Sequence, residues 1–376
     1  MVVRKAPLSA RKLASLDGIR GLAILAVMLH HGAWRFPLWN HPAQAVAWLL
    51  YLGWSGVDLF FVLSGFLITG ILLDSRGALN YFRSFYARRA LRIFPLYYVF
   101  LSAAFVFFPV VVTADWMPVN GDRWLYFCYL TNWEVLWKGP WRHTVMAHLW
   151  SLAVEEQFYF CWPLVVWMLR PRTLLPTLLA GEAAVICGRI WWVLGHGPSE
   201  AVAIATVTRM DGLLLGAVCA VLVRRCVFPE RVLRVLPVAG MCGLWLFIAG
   251  SLANRNPDRF AQLAGFPLLA TSFAAFVLYA ALTDGKPGAV QKFLSLPALT
   301  NTGKYAYGLY IYHVPLFYFG DRLIGGLPAA VREAPGFGYA ATLVSMAIAY
   351  VTAKLSYDLF ERRFLNWKSR FATVGL

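Results

Sequence analysis

Apolar residues run along this chain in ten stretches of spanning length, near 17–36, 46–73, 93–112, 148–169, 174–195, 203–223, 235–252, 262–283, 303–322 and 337–358. A hydrocarbon core about 30 Å thick is crossed by about 20 helical residues. The pattern therefore predicts an all-α polytopic membrane protein of about ten transmembrane helices. A further apolar stretch near 124–137, opening Trp124-Leu-Tyr-Phe-Cys-Tyr-Leu-Thr-Asn-Trp-Glu, is too short to span and rich in aromatics. It is expected as a helix lying at the outer interface. No repeat and no long hydrophilic tract interrupts the pattern, so 1–376 is read as one transmembrane domain with a lead at 1–16 and a tail at 359–376.

Composition agrees, at 60% hydrophobic and 14% charged residues with a mean hydropathy of +0.61. Lys and Arg gather in alternate segments, as in Arg4, Lys5, Arg11 and Lys12 of the lead and Arg76, Arg83, Arg88, Arg89 and Arg92 after the second span. By the positive-inside rule both termini are expected in the cytoplasm. That distribution also accounts for the net charge of +16 without a nucleic-acid partner. The basic lead and first apolar run resemble a signal peptide, but the run ends in His30-His31 with no small-residue cleavage site, so it is read as a retained helix. The six cysteines form no CxxC pair and mostly lie in apolar runs. They are read as packing residues, with no disulfide or metal site.

Ionisable groups inside apolar spans cost roughly 2.5 to 3.5 kcal/mol each on insertion scales and so mark function by default. Arg20 and His31 are eleven residues apart, about 1100° around a helix, which brings them to one face with the histidine roughly 16 Å deeper. Asp58 in the second span is a structural partner for a buried cation or part of a polar cavity, and the neighbouring glycines suggest close helix packing. Arg88, Arg89 and Arg92 would cluster on a helical continuation, for anionic headgroups or for a phosphate that guanidinium forks match. His148 and Glu155 share a face. The adjacent Glu155 and Glu156 need a buried cation or histidine, and His148 is read as a helix cap. Arg209 and Asp211, two residues apart, face different sides and imply partners on other helices. Lys304 falls at the inner end of the ninth span, and His313, mid-span and two residues before Pro315, is structural or reactive.

These blocks together resemble the acyltransferase 3 family of bacterial membrane O-acyltransferases. Leu16-Asp17-Gly18-Ile19-Arg20-Gly21 with His31 is similar to the family's Arg/Lys-x10-His signature, Gly56-Val-Asp58 through Ser64-Gly65 to its second-helix block, and Arg89-Ala-Leu-Arg92 to its Arg-x-x-Arg motif. His148-Leu-Trp-Ser-Leu-Ala-Val-Glu155-Glu156-Gln157-Phe-Tyr159, Arg209-Met-Asp211 and Ser356-Tyr-Asp-Leu-Phe-Glu361 resemble later blocks in the same order. The resemblance implies an acyl-coenzyme A donor, commonly acetyl-coenzyme A, a hydroxyl acceptor on a cell-envelope or secreted saccharide that is in some cases lipid-linked, and residence in the bacterial inner membrane. Some relatives add an extracytoplasmic hydrolase-like domain after the core. None follows here, so the acceptor is expected among O-antigen, exopolysaccharide, signalling oligosaccharide or macrolide rather than peptidoglycan.

An acyl thioester is already activated, so transfer needs a base for the hydroxyl and a stabilised oxyanion, and no metal. His31 suits the base or a transient acyl carrier, while Arg89 and Arg92 suit the phosphates of coenzyme A. The candidate catalytic residues are thus His31, Glu155, Glu156 and Asp58, and the candidate donor-binding residues Arg20, Arg89, Arg92 and Arg209. A proton-coupled transporter or flippase, or a noncatalytic subunit of a polysaccharide export system, is the alternative for such buried charges, although no matching halves with interrupted helices are visible.

Overall fold

The computed structural model describes residues 13–35, 50–107, 122–138, 145–334 and 336–375. Among these residues every regular element is helical. The long helices are α1 (Ala14–Gly32), α2 (Gly56–Asp74), α3 (Tyr81–Ser102), α4 (Leu149–Met168), α5 (Pro171–His196), α6 (Asp211–Arg225), α7 (Glu230–Ala253), α8 (Phe266–Thr283), α9 (Ala306–Gly325) and α10 (Phe337–Ser356). Each of the ten expected stretches falls on one of them, while most of the lead and the end of the third stretch lie outside the described residues.

Among the described residues six helical stretches are long and apolar enough to cross a membrane: Leu52–Asp74, Tyr81–Val106, Pro171–His196, Glu230–Ala253, Pro257–Thr283 and Phe337–Phe371. The other four long helices are α1, α4, α6 and α9. Asp17, Arg20, His30 and His31 dilute the first, Glu155, Glu156 and Gln157 the second, His313, Asp321 and Arg322 the last, and α6 has only 15 residues. Three of them, α1, α4 and α9, line the cavities described below together with α2 and α3. Outward faces are apolar, as lipid requires: α7 packs mainly on α8 and exposes Val238, Met241, Trp245 and Leu246.

At the centre, α2 packs against α1, α4, α6 and α8. Glycine permits the approach. A Cβ on Gly65 of α2 would collide with the Leu213 carbonyl of α6, and one on Gly216 of α6 with the Val62 carbonyl of α2. The glycines read from the sequence as packing residues do that here.

Three expectations change in detail. The third helix starts at Tyr81 rather than near 93, so Arg88, Arg89 and Arg92 lie on one continuous helix with Pro95. The 124–137 stretch is not one helix lying flat. It forms two short helices, Arg123–Phe127 and Thr131–Lys138, joined through Tyr129 at φ 55°, and Thr131 and Asn132 are fully buried. Its polar groups find partners inside: Gln157 of α4 donates to the Tyr129 carbonyl (2.7 Å) and the Asn132 side chain (2.9 Å), and the Tyr97 hydroxyl of α3 to the Tyr126 carbonyl (2.8 Å). The sixth stretch breaks after Glu200–Ile204, and Arg209 sits in the break before α6. The carbonyls so freed are covered, Thr208 by Arg189 (2.7 Å) and Ile204 by Asn132 (3.4 Å), which is what lets irregular backbone persist inside an apolar bundle.

Candidate active site

Three neighbouring cavities that share lining residues follow α1 through the bundle. At the proximal end, where α1 and α3 begin, Arg20 and the α3 residues Arg88, Arg89 and Arg92 face Lys368 of the short 3-10 helix Trp367–Phe371. No Asp or Glu is among the described residues lining this mouth. The register of α3 explains the cluster: Arg88 and Arg92 are one turn apart, and Arg89 and Arg92 three residues apart. Asp17 pairs with Arg20 (2.5 Å).

The middle cavity shares Arg20, Arg89 and Arg92 with the mouth and adds Ser64, Glu155, Glu156, Tyr159 and Tyr310. Tyr159 donates to Glu155 Oε2 (3.0 Å), its hydroxyl also meets Ser64 Oγ, and the Arg89 guanidinium lies over its ring at 4.6 Å. The tyrosine thus links the second-helix serine, a carboxylate of α4 and an arginine of α3.

The distal cavity, about 440 Å³, meets the middle one at Val57 and Tyr310. It is lined by His30, His31, His148 and Arg209, by the aromatics Tyr51, Trp54, Trp150 and Phe266, and by Glu200, Asp258 and Gln262. His31 Nδ1 donates to the Val27 carbonyl one turn back (2.9 Å). That bond assigns the tautomer in which Nε2 carries the lone pair. The buried His313 of α9 stands behind it, ring centroids 4.9 Å apart, with its own Nδ1 directed to the Tyr310 carbonyl (2.8 Å), and His148 packs on His313 at 5.3 Å. His148 occupies the N-cap position of α4, yet its side chain makes no cap hydrogen bond; the ring is buried in this cluster instead. His30 turns to the Tyr51 carbonyl (2.6 Å). No group of three or more His, Cys, Asp or Glu among the described residues is placed to hold a metal ion.

Arg209 and Asp211 do take partners on other helices. Arg209 Nη2 reaches Asp58 Oδ1 of α2 (2.8 Å) and its guanidinium lies 3.8 Å over Phe266, while Asp211 pairs with the fully buried Arg189 of α5 (2.7 Å). Arg209 Nε and Nη1 have no hydrogen-bond partner among the described residues.

The structure therefore brings together Arg20, Arg89 and Arg92 with Glu155 and Glu156, and separately lines the distal cavity with His31 and Arg209, the latter ion-paired to Asp58 behind it. It does not bring either glutamate to His31, whose partner is a backbone carbonyl, nor Arg209 to the proximal arginines. Two further residues escape a reading of the sequence. Lys368 sits in a basic tail and is marked only by its aromatic neighbours Trp367 and Phe371; Arg189, an arginine deep in the fifth apolar stretch, carried the same signal of costly burial as Arg20.

A model of the acyltransferase 3 family, described as an acyltransferase domain, matches residues 13–354. The O-acetyltransferase OatA of Staphylococcus aureus (strain NCTC 8325 / PS 47) is 28% identical over 379 residues, covering 94% of this chain and 57% of that protein. The peptidoglycan O-acetyltransferase OatA of Listeria monocytogenes serovar 1/2a (strain ATCC BAA-679 / EGD-e) is 27% identical over 376 residues, covering 94% of this chain and 56% of its own length. The chain thus spans little more than half the length of these relatives. No solved structure matches it.

Proposed function

The chain belongs to the acyltransferase 3 family, and from that premise we propose that it moves an acyl group, acetyl first among the candidates, from a cytoplasmic acyl-coenzyme A to a hydroxyl of an envelope saccharide. The observation that carries this reading is the series of neighbouring cavities with shared lining residues, from a cationic mouth to His31. The mouth offers guanidinium forks to the phosphates, with no carboxylate among the described residues that line it, the middle cavity takes the thin arm, and about 16 Å along α1 from Arg20 the thioester meets His31. Family membership favours acyl transfer over the carrier and noncatalytic alternatives.

In the distal cavity His31 Nε2 takes the proton of the acceptor hydroxyl as its oxygen attacks the thioester carbonyl. The tetrahedral oxyanion that forms is met by Nε and Nη1 of Arg209, which have no partner among the described residues, with the guanidinium held in place by Asp58. Collapse breaks the carbon–sulfur bond, and the departing thiolate receives the proton from His31, leaving ester and free thiol. The aromatic faces and acidic rim of the cavity, and its volume of about 440 Å³, suit a sugar ring. The naming of a relative for peptidoglycan returns that polymer to the candidate acceptors, against the expectation drawn from the lone core. The inner membrane and both termini in the cytoplasm complete the proposal.

The purified chain in nanodiscs, given labelled acetyl-coenzyme A, should hydrolyse the thioester or pass the label to an added envelope saccharide. Finding neither would overturn the reading. Arg89→Ala and Arg92→Ala should each weaken coenzyme A binding, and the lysine replacements should remain impaired, because a point charge does not reproduce the fork. Calorimetry that finds parental affinity in the double alanine variant would reduce the cluster to a lipid anchor.

Glu155 and Glu156 line the path of the arm rather than the base, so their substitutions should register on the donor. Glu155→Gln loosens the hydrogen bond that holds Tyr159 under Arg89. It should raise KM for the acyl-coenzyme A and leave KM for the acceptor unchanged, with Glu156→Gln acting in the same direction. A fall in kcat alone, at unchanged donor KM, would return the carboxylates to the chemistry.

A further inference from the structure

Resting on the acyl-coenzyme A reading, we infer that Lys368 and Arg88 form a separate subsite for the ribose 3′-phosphate of coenzyme A, built by the segment 367–375 folding across the proximal mouth. The cations of this mouth fall into two sets. Arg20, Arg89 and Arg92 line both the mouth and the middle cavity, whereas Arg88 and Lys368 line the mouth alone. Coenzyme A likewise carries its phosphates in two places, a diphosphate at the head of the arm and a monoester on the ribose. An arm threaded into the middle cavity leaves its diphosphate at the shared arginines, and the ribose phosphate then falls to the two cations further out.

Lys368 is placed for this by backbone ties and not by a carboxylate. Ser84 Oγ donates to the Phe371 carbonyl (2.7 Å) and Asn80 Nδ2 to the Ala372 carbonyl (2.8 Å). The Val374 amide donates to Asn80 Oδ1 (3.0 Å), and the Leu79 amide donates back to the Val374 carbonyl (3.0 Å). The segment is thereby stitched to the start of α3, which carries Arg88. Asp17 offsets Arg20, and no acid is among the described residues lining the mouth, so Lys368 is held by these bonds against the like charges of Arg88, Arg89 and Arg92, an arrangement that favours a polyanion between them.

The test compares coenzyme A with 3′-dephospho-coenzyme A by calorimetry on the full chain in zwitterionic nanodiscs. The parent should prefer coenzyme A. Lys368→Ala should lose about tenfold in affinity for coenzyme A and none for the dephospho form, as removal of one charge-assisted contact implies, and Lys368→Arg should keep the preference. Equal weakening toward both nucleotides, or none, overturns the subsite while leaving the acyl-coenzyme A reading intact. A preference that appears only in nanodiscs containing anionic lipid assigns Lys368 to headgroups and overturns it too. A parent that binds neither nucleotide overturns the donor reading itself, and the subsite with it.

Discussion

Replacing His31 with alanine is expected to lower acyl transfer by about 10²–10⁴-fold, the usual contribution of a positioned general base. The side chain lines the distal cavity, its Nδ1 is committed to the Val27 carbonyl, and Nε2 is thereby left for the acceptor proton. Coenzyme A binding should be unaffected, since Arg20, where the proposed phosphate site begins, lies about 16 Å away along α1. His30 lines the same cavity but turns to the Tyr51 carbonyl, so His30→Ala should retain most activity. Steady-state transfer assays of the two variants, with calorimetric donor affinity alongside, separate the roles. His31→Ala with parental turnover would take the imidazole out of the reaction.

How much of this was legible in the sequence depends on whether a property belongs to one helix or to several. The register of Arg20 with His31, and the clustering of Arg88, Arg89 and Arg92, follow from 3.6 residues per turn within a single helix, and both survive in the structure. The break in the sixth stretch does not show in hydropathy. It is tolerated because Arg189 from α5 and Asn132 from the short helix Thr131–Lys138 cover the freed carbonyls, a tertiary fact.

Glu155 is the instructive case. It does share a face with His148, but α4 runs from the distal to the proximal end, and seven residues carry Glu155 about 10 Å further along. His148 consequently joins the cluster of His31 and His313, while Glu155 joins Arg89 and Tyr159 in the middle cavity. Angular position was readable and relative depth was not, because depth depends on how two helices are offset. Lys368 illustrates the same boundary: its place in the mouth depends on hydrogen bonds to Asn80 and Ser84, nearly 300 residues away in sequence.

The largest expected effect on stability belongs to the buried pair that closes the distal cavity. Asp58 is 4% exposed and Arg209 3% exposed, so Asp58→Asn strands a guanidinium with no counterion and should cost about 3–5 kcal/mol, read as lost monodisperse yield and a lower melting temperature. Turnover alone would not separate a structural from a catalytic role, because a misfolded bundle is also inactive. The double variant Asp58→Asn with Arg209→Met does separate them. It removes the stranded charge and fills its volume with an apolar side chain, so much of the stability should return. The N–H groups offered to the oxyanion are gone, and transfer should stay low while donor affinity matches the parent. A double variant that folds and turns over like the parent would make the pair a packing device and leave the oxyanion to another donor. A single Asp58→Asn variant with parental melting and turnover would mean that Arg209 needs no counterion at all.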